Sequence, residues 1–265
     1  MSFNKWLAIV ALGVTCLQIT AEEVAWDYSN PEVALPPSMI ICKRNLPVKE
    51  RNDCILKSIE SLLPSLKNGY APLGINPLDP YKVKKTTLQF KQGPVYAKLQ
   101  MRDAIVSGLT RGKAKAVRSK VNDNKMYLEV DVELPKLRTS ANYKGYGGVN
   151  DIKVDSSGYA NITHTKITST WKIYGNIETI QNEEYMMVKA FEVSDLNIDK
   201  MRFNVTGIFE DPELNNFINE FVNSQWKNFY KQVLPQARSM YEPIALDSVN
   251  KIFGRVPFRR LMPKD

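Results

Sequence analysis

The chain has 265 residues, a formal net charge of +8 and a hydrophobic content of 43%. A basic balance of this size is weak evidence for an anionic partner, and we expect no nucleic acid to be bound. No linker, low-complexity tract or internal repeat divides the sequence, so it favours one continuous domain over residues 22–265.

The N-terminal segment has the features of a signal peptide. Lys5 precedes an apolar run from Trp6 to Leu17 that is too short to span a bilayer, and the small residues Thr20 and Ala21 follow it. We expect cleavage after Ala21, which makes residues 1–21 a signal peptide and the mature protein secreted, soluble and extracellular. No later run is long enough for a transmembrane helix, so we expect no integral membrane segment.

If the chain is secreted, its cysteines can form a disulfide and two Asn-X-Thr triplets can be glycosylated. Cys16 lies in the segment to be removed, which leaves Cys42 and Cys54 in an oxidising compartment. We predict a disulfide between them, with two free buried thiols as the alternative. A bridge that closes so short a loop stabilises a fold by roughly 3 kcal/mol through chain entropy. The triplets that begin at Asn161 and Asn204 are candidate N-glycosylation sites.

The first predicted helix follows the cysteines. Asn52 or Asp53 is its expected cap and Gly69 its expected end, and Pro64 should kink or end it near the last turn. The apolar residues that recur at helical spacing are Ile55, Ile59, Leu62, Leu63 and Leu66.

From Lys84 onward the apolar period falls from about 3.6 to about 2 residues. This alternation predicts a long antiparallel sheet with one solvent-exposed face and one buried, apolar face. Turns are expected at residues 122–124 and around Gly175 and Asn176. The predicted strands cover residues 95–102, 126–134, 152–154, 159–174, 186–193 and 201–209.

A basic run between the first strands allows two interpretations. Its charged residues begin by alternating with small ones, which is typical of the solvent face of a strand. The alternative is a patch for acidic lipid or another anionic partner. The residues are Arg111, Lys113, Lys115, Arg118 and Lys120.

The last predicted element is an unusually long helix. Asp211 is its expected cap and Pro212 suits its first position. Pro235 should bend it, and Pro243 should interrupt it again within the stretch from Tyr241 to Phe253. Its nearly unbroken apolar stripe consists of Leu214, Phe217, Ile218, Phe221, Val222, Gln225, Phe229 and Val233.

A dry sheet face of this length has to be covered by another element. Wrapping the sheet around the aromatic helix would bury both, and would leave either a fully packed core or a lengthwise gap lined by apolar side chains. Periodicity alone favours the packed core, because aromatic stripes usually belong to cores.

Several motifs together resemble the insect takeout and juvenile-hormone-binding protein family, over essentially the whole chain after residue 21. The paired Cys42 and Cys54 combined with Pro-Leu-Asp-Pro at residues 77–80 are the most specific of them. The segment Asp155-Ser156-Ser157-Gly158-Tyr159 departs from the pattern, because many relatives are rich in glycine there, so we expect a different cavity rim. The other matching segments are Leu73-Gly74-Ile75, Leu134-Pro135-Lys136-Leu137-Arg138, Tyr143-Lys144-Gly145-Tyr146-Gly147-Gly148, Asn223 with Trp226, and Val256-Pro257.

The resemblance implies an α+β fold in which a strongly curved antiparallel β-sheet wraps around a long C-terminal α-helix and encloses an elongated hydrophobic cavity. It implies a carrier in haemolymph or another body fluid for a small hydrophobic ligand, such as a juvenile-hormone-like terpenoid, a fatty acid or another lipid. Circadian, feeding or behavioural signalling is the implied purpose. We expect a monomer. The candidate cavity residues are Ile59, Leu63, Leu99, Met101, Leu128, Val130, Phe217, Phe221 and Phe229.

Two other features bear on function. A polar end of the ligand would need a hydrogen-bond donor, for which Tyr127, Tyr174 and Tyr185 are candidates, with plain packing as their alternative role. The alternative function is an extracellular binder of anionic lipid or bacterial envelope surfaces that uses the same fold and the basic run.

An enzyme is the third hypothesis, and little in the chain supports it. The single histidine, His164, has no acidic neighbour in its run, and no G-x-S-x-G turn is present. With both remaining cysteines bridged, no cluster of His or Cys is left to hold zinc. We therefore expect no catalytic residue, no metal and no cofactor.

Overall fold

The computed structural model describes residue 28 and residues 30–92, 95–149 and 152–264. The expected signal peptide at residues 1–21 lies outside these ranges. Within them the helices are α1 (Val48–Ser65), α2 (Pro212–Ser224), α3 (Trp226–Phe253) and α4 (Phe258–Leu261). The strands are β1 (Tyr81–Gln92), β2 (Val95–Ser107), β3 (Lys113–Val121), β4 (Lys125–Val149), β5 (Ile152–Ile180) and β6 (Glu183–Val205).

The strands that the structure describes form one antiparallel sheet in the order β1-β2-β4-β5-β6. β3 pairs with the first half of β4 and β2 with its second half, while β5 pairs with β4 along its other side. Helix α3 contacts both edge strands, β1 and β6. The sheet therefore curves around the helix without closing on itself, which confirms the predicted α+β fold of a curved sheet and a long C-terminal helix.

Most of the predicted strands are correctly placed but too short, whereas the one at residues 201–209 runs past the end of β6 at Val205. β5 runs without a break, so the predicted strands at residues 152–154 and 159–174 are one strand, and the turn lies at Gln181 and Asn182 instead of at Gly175 and Asn176. The alternation of buried side chains changes phase near residues 135 and 166, where Lys166 has a φ of +49°. A phase change interrupts the two-residue period without ending the strand.

Helix α1 begins earlier than predicted, because Pro47 rather than Asn52 or Asp53 stands at its N-cap. Asn52 lies inside the helix, where its side-chain oxygen accepts hydrogen bonds from the N–H and the hydroxyl of Ser119 at 3.0 and 2.6 Å. The helix ends at Ser65, directly after Pro64, as predicted for that proline, and not at Gly69. A disulfide joins Cys42, before the helix, to Cys54 within it, and so fastens the preceding segment to α1.

The segment that follows α1 has a structural role. Gly69 has a φ of +76°, and a Cβ there would lie 2.3 Å from the carbonyl oxygen of Ile75, so only glycine fits. The carboxylate of Asp79 accepts hydrogen bonds from the N–H of Gly108 and the hydroxyl of Thr110, both at 3.0 Å. The Pro-Leu-Asp-Pro element therefore holds the connection between β2 and β3 in place.

The predicted long helix is interrupted at Gln225, which separates α2 from α3, and not at its prolines. Asp211 caps α2 as predicted, and its carboxylate accepts from the N–H groups of Glu213 and Leu214 at 2.8 and 3.0 Å. Pro235 and Pro243 lie within α3. The helix continues through them, although each proline removes one backbone hydrogen-bond donor.

Asparagines attach α2 to the edge strand β6. Asn215, Asn219 and Asn223 recur every four residues and share one face of the helix. Asn219 accepts a hydrogen bond from the N–H of Val205 at 2.9 Å and donates to its carbonyl at 2.7 Å. Asn223 binds the N–H and the carbonyl of Phe203 in the same way, at 2.7 and 2.9 Å.

Helix α3 uses the same device further along β6. Asn250 accepts from the N–H of Val188 and donates to its carbonyl, both at 3.0 Å, and the Glu242 carboxylate accepts from the N–H of Val193 at 3.1 Å. Side-chain amides thus take the place of a neighbouring strand and satisfy backbone groups at the sheet edge.

Candidate ligand-binding site

One half of the sheet is solidly packed. Leu128 and Val130 of β4 are 5% and 1% exposed and belong to a core cluster, against which Ile59 of α1 also packs. Leu63 of α1 is half-buried and lies beside Gly112. Four of the predicted cavity residues are therefore in or against this packed half.

The half of the sheet that contains β1 and β2 is covered less. Leu99 and Met101 of β2 are half-buried and lie outside the core cluster. Met101 is paired with Tyr143 and Leu99 with Gly145 of β4. Paired residues of neighbouring strands point to the same face, so this face carries an apolar surface that the core does not use.

The chain that leaves β6 crosses this same face. The Tyr143 hydroxyl donates a hydrogen bond to the carbonyl of Thr206 at 2.9 Å. The Thr206 carbonyl oxygen lies only 2.0 Å from where a Cβ of residue 158 would be, so Gly158 is required for the crossing. Thr206, which precedes α2, therefore lies over the face that carries Leu99 and Met101.

The aromatic side chains of the long helix are exposed. Phe217, Phe221 and Phe229 are 62%, 49% and 37% exposed and lie outside the core cluster, which corrects the expectation that the aromatic stripe is packed. The rings of Phe221 and Phe229 meet edge to face, with centroids 6.0 Å apart.

The rotation of α2 explains this exposure. Asn219 faces β6, and residues two positions away along an α-helix point to the opposite side. Hydrogen bonding by the asparagines therefore turns Phe217 and Phe221 away from the strand. We call the set Leu99, Met101, Phe217, Phe221 and Phe229, which all lie outside the core cluster, the open apolar site.

The three tyrosines considered for a polar ligand end lie elsewhere. Tyr127 and Tyr174 are paired across β4 and β5 with ring centroids 4.8 Å apart, and the Tyr127 hydroxyl donates to Glu129 on the outer face of the sheet. Tyr185 is fully buried and packs against Tyr28. All three have packing or surface roles in the structure.

His164 lies on the inner face of β5, paired with Leu137 and Met201. Its Nδ1 is buried without a hydrogen-bond partner among the described residues. Burial lowers the pKa of the imidazole, and a hydrogen bond that the imidazole donates to the backbone carbonyl of Leu137 opposes this to a smaller extent. His164 is therefore a neutral side chain in a largely apolar wall.

A polar group that sequence reasoning missed lies on α3. Tyr230 and Tyr241 pack against the core cluster, and Arg238 is three residues before Tyr241, which places it on the same helix face. The Arg238 Nε and the Tyr241 hydroxyl oxygen are buried without hydrogen-bond partners in the described part of the chain. Burial raises the pKa of Tyr230 to about 12, with a further rise from Tyr241 and an opposing effect of Arg238. The sequence signal that could have revealed this group is the spacing of Arg238 and Tyr241, which are three residues apart on a helix face with apolar neighbours.

The basic run on β3 is partly neutralised by its neighbour β4. Arg118 pairs with Glu129 at 2.6 Å and Asp131 at 2.7 Å, and Lys115 pairs with Glu133 at 3.1 Å. The Arg118 guanidinium lowers the pKa of Asp131. These pairs fit the solvated face of a strand and weaken the interpretation as a free cationic patch.

A separate groove of about 660 Å³ lies where β4, β5 and β6 meet the helices α2 and α3. Thr163 and Thr165 of β5 are among its lining residues. Its mixed, charged lining distinguishes it from the open apolar site. The remaining lining residues are Lys136, Lys200, Met201, Arg202, Glu220, Asn223 and Trp226.

The two candidate glycosylation sites are neighbours in space. Asn161 and Asn204 are directly paired across β5 and β6, with Asn204 exposed and Asn161 half-buried. Glycosylation at either site stays a prediction.

Among the described residues, no group of three His, Cys, Asp or Glu side chains is placed to hold a metal ion. No helix in the described ranges is both long and apolar enough to cross a bilayer.

Comparisons with known proteins agree with this geometry. Takeout 1 of Epiphyas postvittana matches in structure with a TM-score of 0.69 and 15% identity, over 84% of this chain and 99% of that chain. At this identity the match shows a shared fold. A lipopolysaccharide binding protein matches with a TM-score of only 0.24 and 10% identity, over 62% of this chain and 34% of that chain, and supports no argument.

The family comparison covers most of the sequence. No match was found among the curated proteins. The sequence profile of the family described as haemolymph juvenile hormone binding protein (JHBP) matches residues 14–263. Because this match spans nearly the whole chain, the protein belongs to the haemolymph juvenile hormone binding protein family.

Proposed function

We propose that this protein is a secreted carrier of a small hydrophobic ligand, such as a juvenile-hormone-like terpenoid, a fatty acid or another lipid. The observation that carries the proposal is the open apolar site, whose large apolar side chains lie outside the core cluster and, on the helices, are exposed. Exposed apolar groups of this size mark binding sites more often than inert surface. Family membership supports the same class of function.

The setting of this carriage also comes from the resemblance. Haemolymph or a similar body fluid is the expected compartment, and circadian, feeding or behavioural signalling is the expected purpose. The disulfide between Cys42 and Cys54 supports an extracellular location.

Apolar burial is sufficient to hold such a ligand. Removing roughly 400 Å² of apolar ligand surface from water contributes about 10 kcal/mol. The lost freedom of the ligand costs several kcal/mol, and the remainder corresponds to affinities between about micromolar and nanomolar.

The test removes the two most exposed rings together. Replacing Phe217 and Phe221 by serine should weaken the binding of a fluorescent long-chain lipid by about 10- to 30-fold, because about 2 kcal/mol of apolar contact is lost. The unfolding free energy should change by less than about 0.5 kcal/mol, because surface substitutions rarely cost more. Titration of the fluorescent lipid and urea unfolding measure the two quantities.

Val48→Ser is the matched control. Val48 is 58% exposed but lies at the start of α1, outside the open apolar site, so its replacement should leave lipid binding unchanged. Equal affinity in the wild type and the double variant would refute the placement of the site. The absence of any apolar molecule from protein purified natively and extracted for mass spectrometry would count against carriage itself.

A further inference from the structure

The polar group on α3 lacks a charged partner. Arg238 forms no ion pair with any carboxylate in the described part of the chain. Glu242, one helical turn further on, is used by the N–H of Val193. A guanidinium in a partly apolar setting is costly unless an anion meets it.

The atoms left without partners are those that a ligand head group could engage. In the described part of the chain, the Arg238 Nε and the Tyr241 hydroxyl are both buried without a well-aligned hydrogen bond. Burial raises the pKa of Tyr241, and this rise is opposed by the charge of Arg238 and by a side-chain interaction between the two groups. Arg238 as a whole is only half-buried, so the guanidinium is not fully sealed. A planar guanidinium accommodates a carboxylate through two parallel hydrogen bonds, and a neighbouring phenol can add a third.

We propose that Arg238 and the Tyr241 hydroxyl bind the carboxylate of an elongated hydrophobic acid. This inference rests on the proposed function, because it names the head group of the carried ligand. It selects a free acid over the neutral esters and terpenoids that apolar burial alone would also admit.

The experiment compares palmitate with methyl palmitate, which has the same chain and no charge. Intrinsic tryptophan fluorescence of the full chain, titrated with each compound, gives the two affinities. The wild type should bind palmitate at least about tenfold more tightly than the ester. Arg238→Gln should remove this preference and leave the affinity for the ester within about twofold.

Two further variants separate head-group binding from a structural role. Arg238→Lys should keep part of the preference, because the charge stays and the fork is lost. Arg202→Gln, which removes an exposed arginine of β6, should change neither affinity. Thermal unfolding without ligand should be no earlier in Arg238→Gln than in the wild type, because Arg238 has no ion-pair partner among the described residues to lose.

The outcomes are distinguishable. Wild-type protein that binds the ester but shows no preference for the acid would overturn this inference and leave the carrier function standing. A preference that persists in Arg238→Gln, or a variant that loses both compounds equally, would also overturn it. Wild-type protein that binds neither compound would refute the proposed carrier function together with this inference.

Discussion

His164 is the only histidine of the chain, and burial lowers the pKa of its imidazole in the folded protein. The unfolded chain, with a histidine pKa of about 6.5, then binds more protons than the folded chain below that pH. Stability contributed by neutral His164 is therefore fully present above pH of about 6.5 and is lost as the pH falls towards the lowered folded value.

The variant His164→Phe should lack this part of the acid sensitivity. Between pH of about 6.5 and 5, the wild-type unfolding free energy should fall with a slope of at most about 1.4 kcal/mol per pH unit, and the slope of the variant should be smaller. Urea unfolding at several pH values measures both slopes. Asp131 and Glu129 have lowered pKa values, so they change the pH dependence of the unfolding free energy only below pH of about 4.5, and equally in both proteins. Parallel profiles above that pH would contradict the assignment.

Single residues were predictable where the signal is local. The pairing of Cys42 with Cys54 and the capping by Asp211 follow from short sequence patterns, and the structure contains both. Arg238 was not predictable, because its significance depends on which carboxylates are absent around it in three dimensions. The cap of α1 was wrongly predicted, because Asn52 bonds to Ser119, which is distant in sequence.

At the scale of elements, the asparagines that join α2 to β6 should contribute measurably to the unfolding free energy. Asn219→Ala removes the acceptor and the donor that satisfy Val205, so the unfolding free energy should fall by about 1–3 kcal/mol. Asn216→Ala is the control, because Asn216 is exposed on the same helix and should change stability by less than about 0.5 kcal/mol. Equal effects of the two substitutions in urea unfolding would show that the edge contacts are not needed.

The elements themselves were recovered from periodicity, but their lengths were not. Apolar alternation located the strands, and it failed near Lys166 because the backbone there takes a positive φ and the buried face changes parity. The spacing of Asn215, Asn219 and Asn223 was visible in the sequence. It could not be interpreted without knowing that a sheet edge lies beside the helix.

Periodicity left open whether the sheet and helix enclose a fully packed core or leave apolar side chains uncovered, and the whole molecule contains both arrangements. Residues such as Leu128 and Val130 form a packed core, whereas Leu99 and Phe217 remain outside it. The curved fold itself was anticipated through family resemblance, since alternation specifies the face of a strand but not the curvature of a sheet. Periodicity overestimated how far the aromatic stripe of α2 is buried, because the asparagine contacts with β6 rotate Phe217 and Phe221 away from the strand.

If the carrier function is correct, the whole molecule should be stabilised by its ligand. A hydrophobic ligand at about 100 times its dissociation constant should add about 2.7 kcal/mol to the unfolding free energy. For a chain of this size the melting temperature should rise by about 5–10 °C. Differential scanning calorimetry over a ligand series measures this rise. A melting temperature that is independent of the concentration of every apolar compound tested would speak against a specific site.

The separation between the packed half and the open apolar site bears on how relatives diversify. Side chains at positions such as 99, 101, 217 and 221 contribute little to the packed cluster, so evolution can exchange them without melting the scaffold. The same fold can then come to bind new ligands through a few substitutions, and a protein engineer could change its ligand selectivity at the same positions.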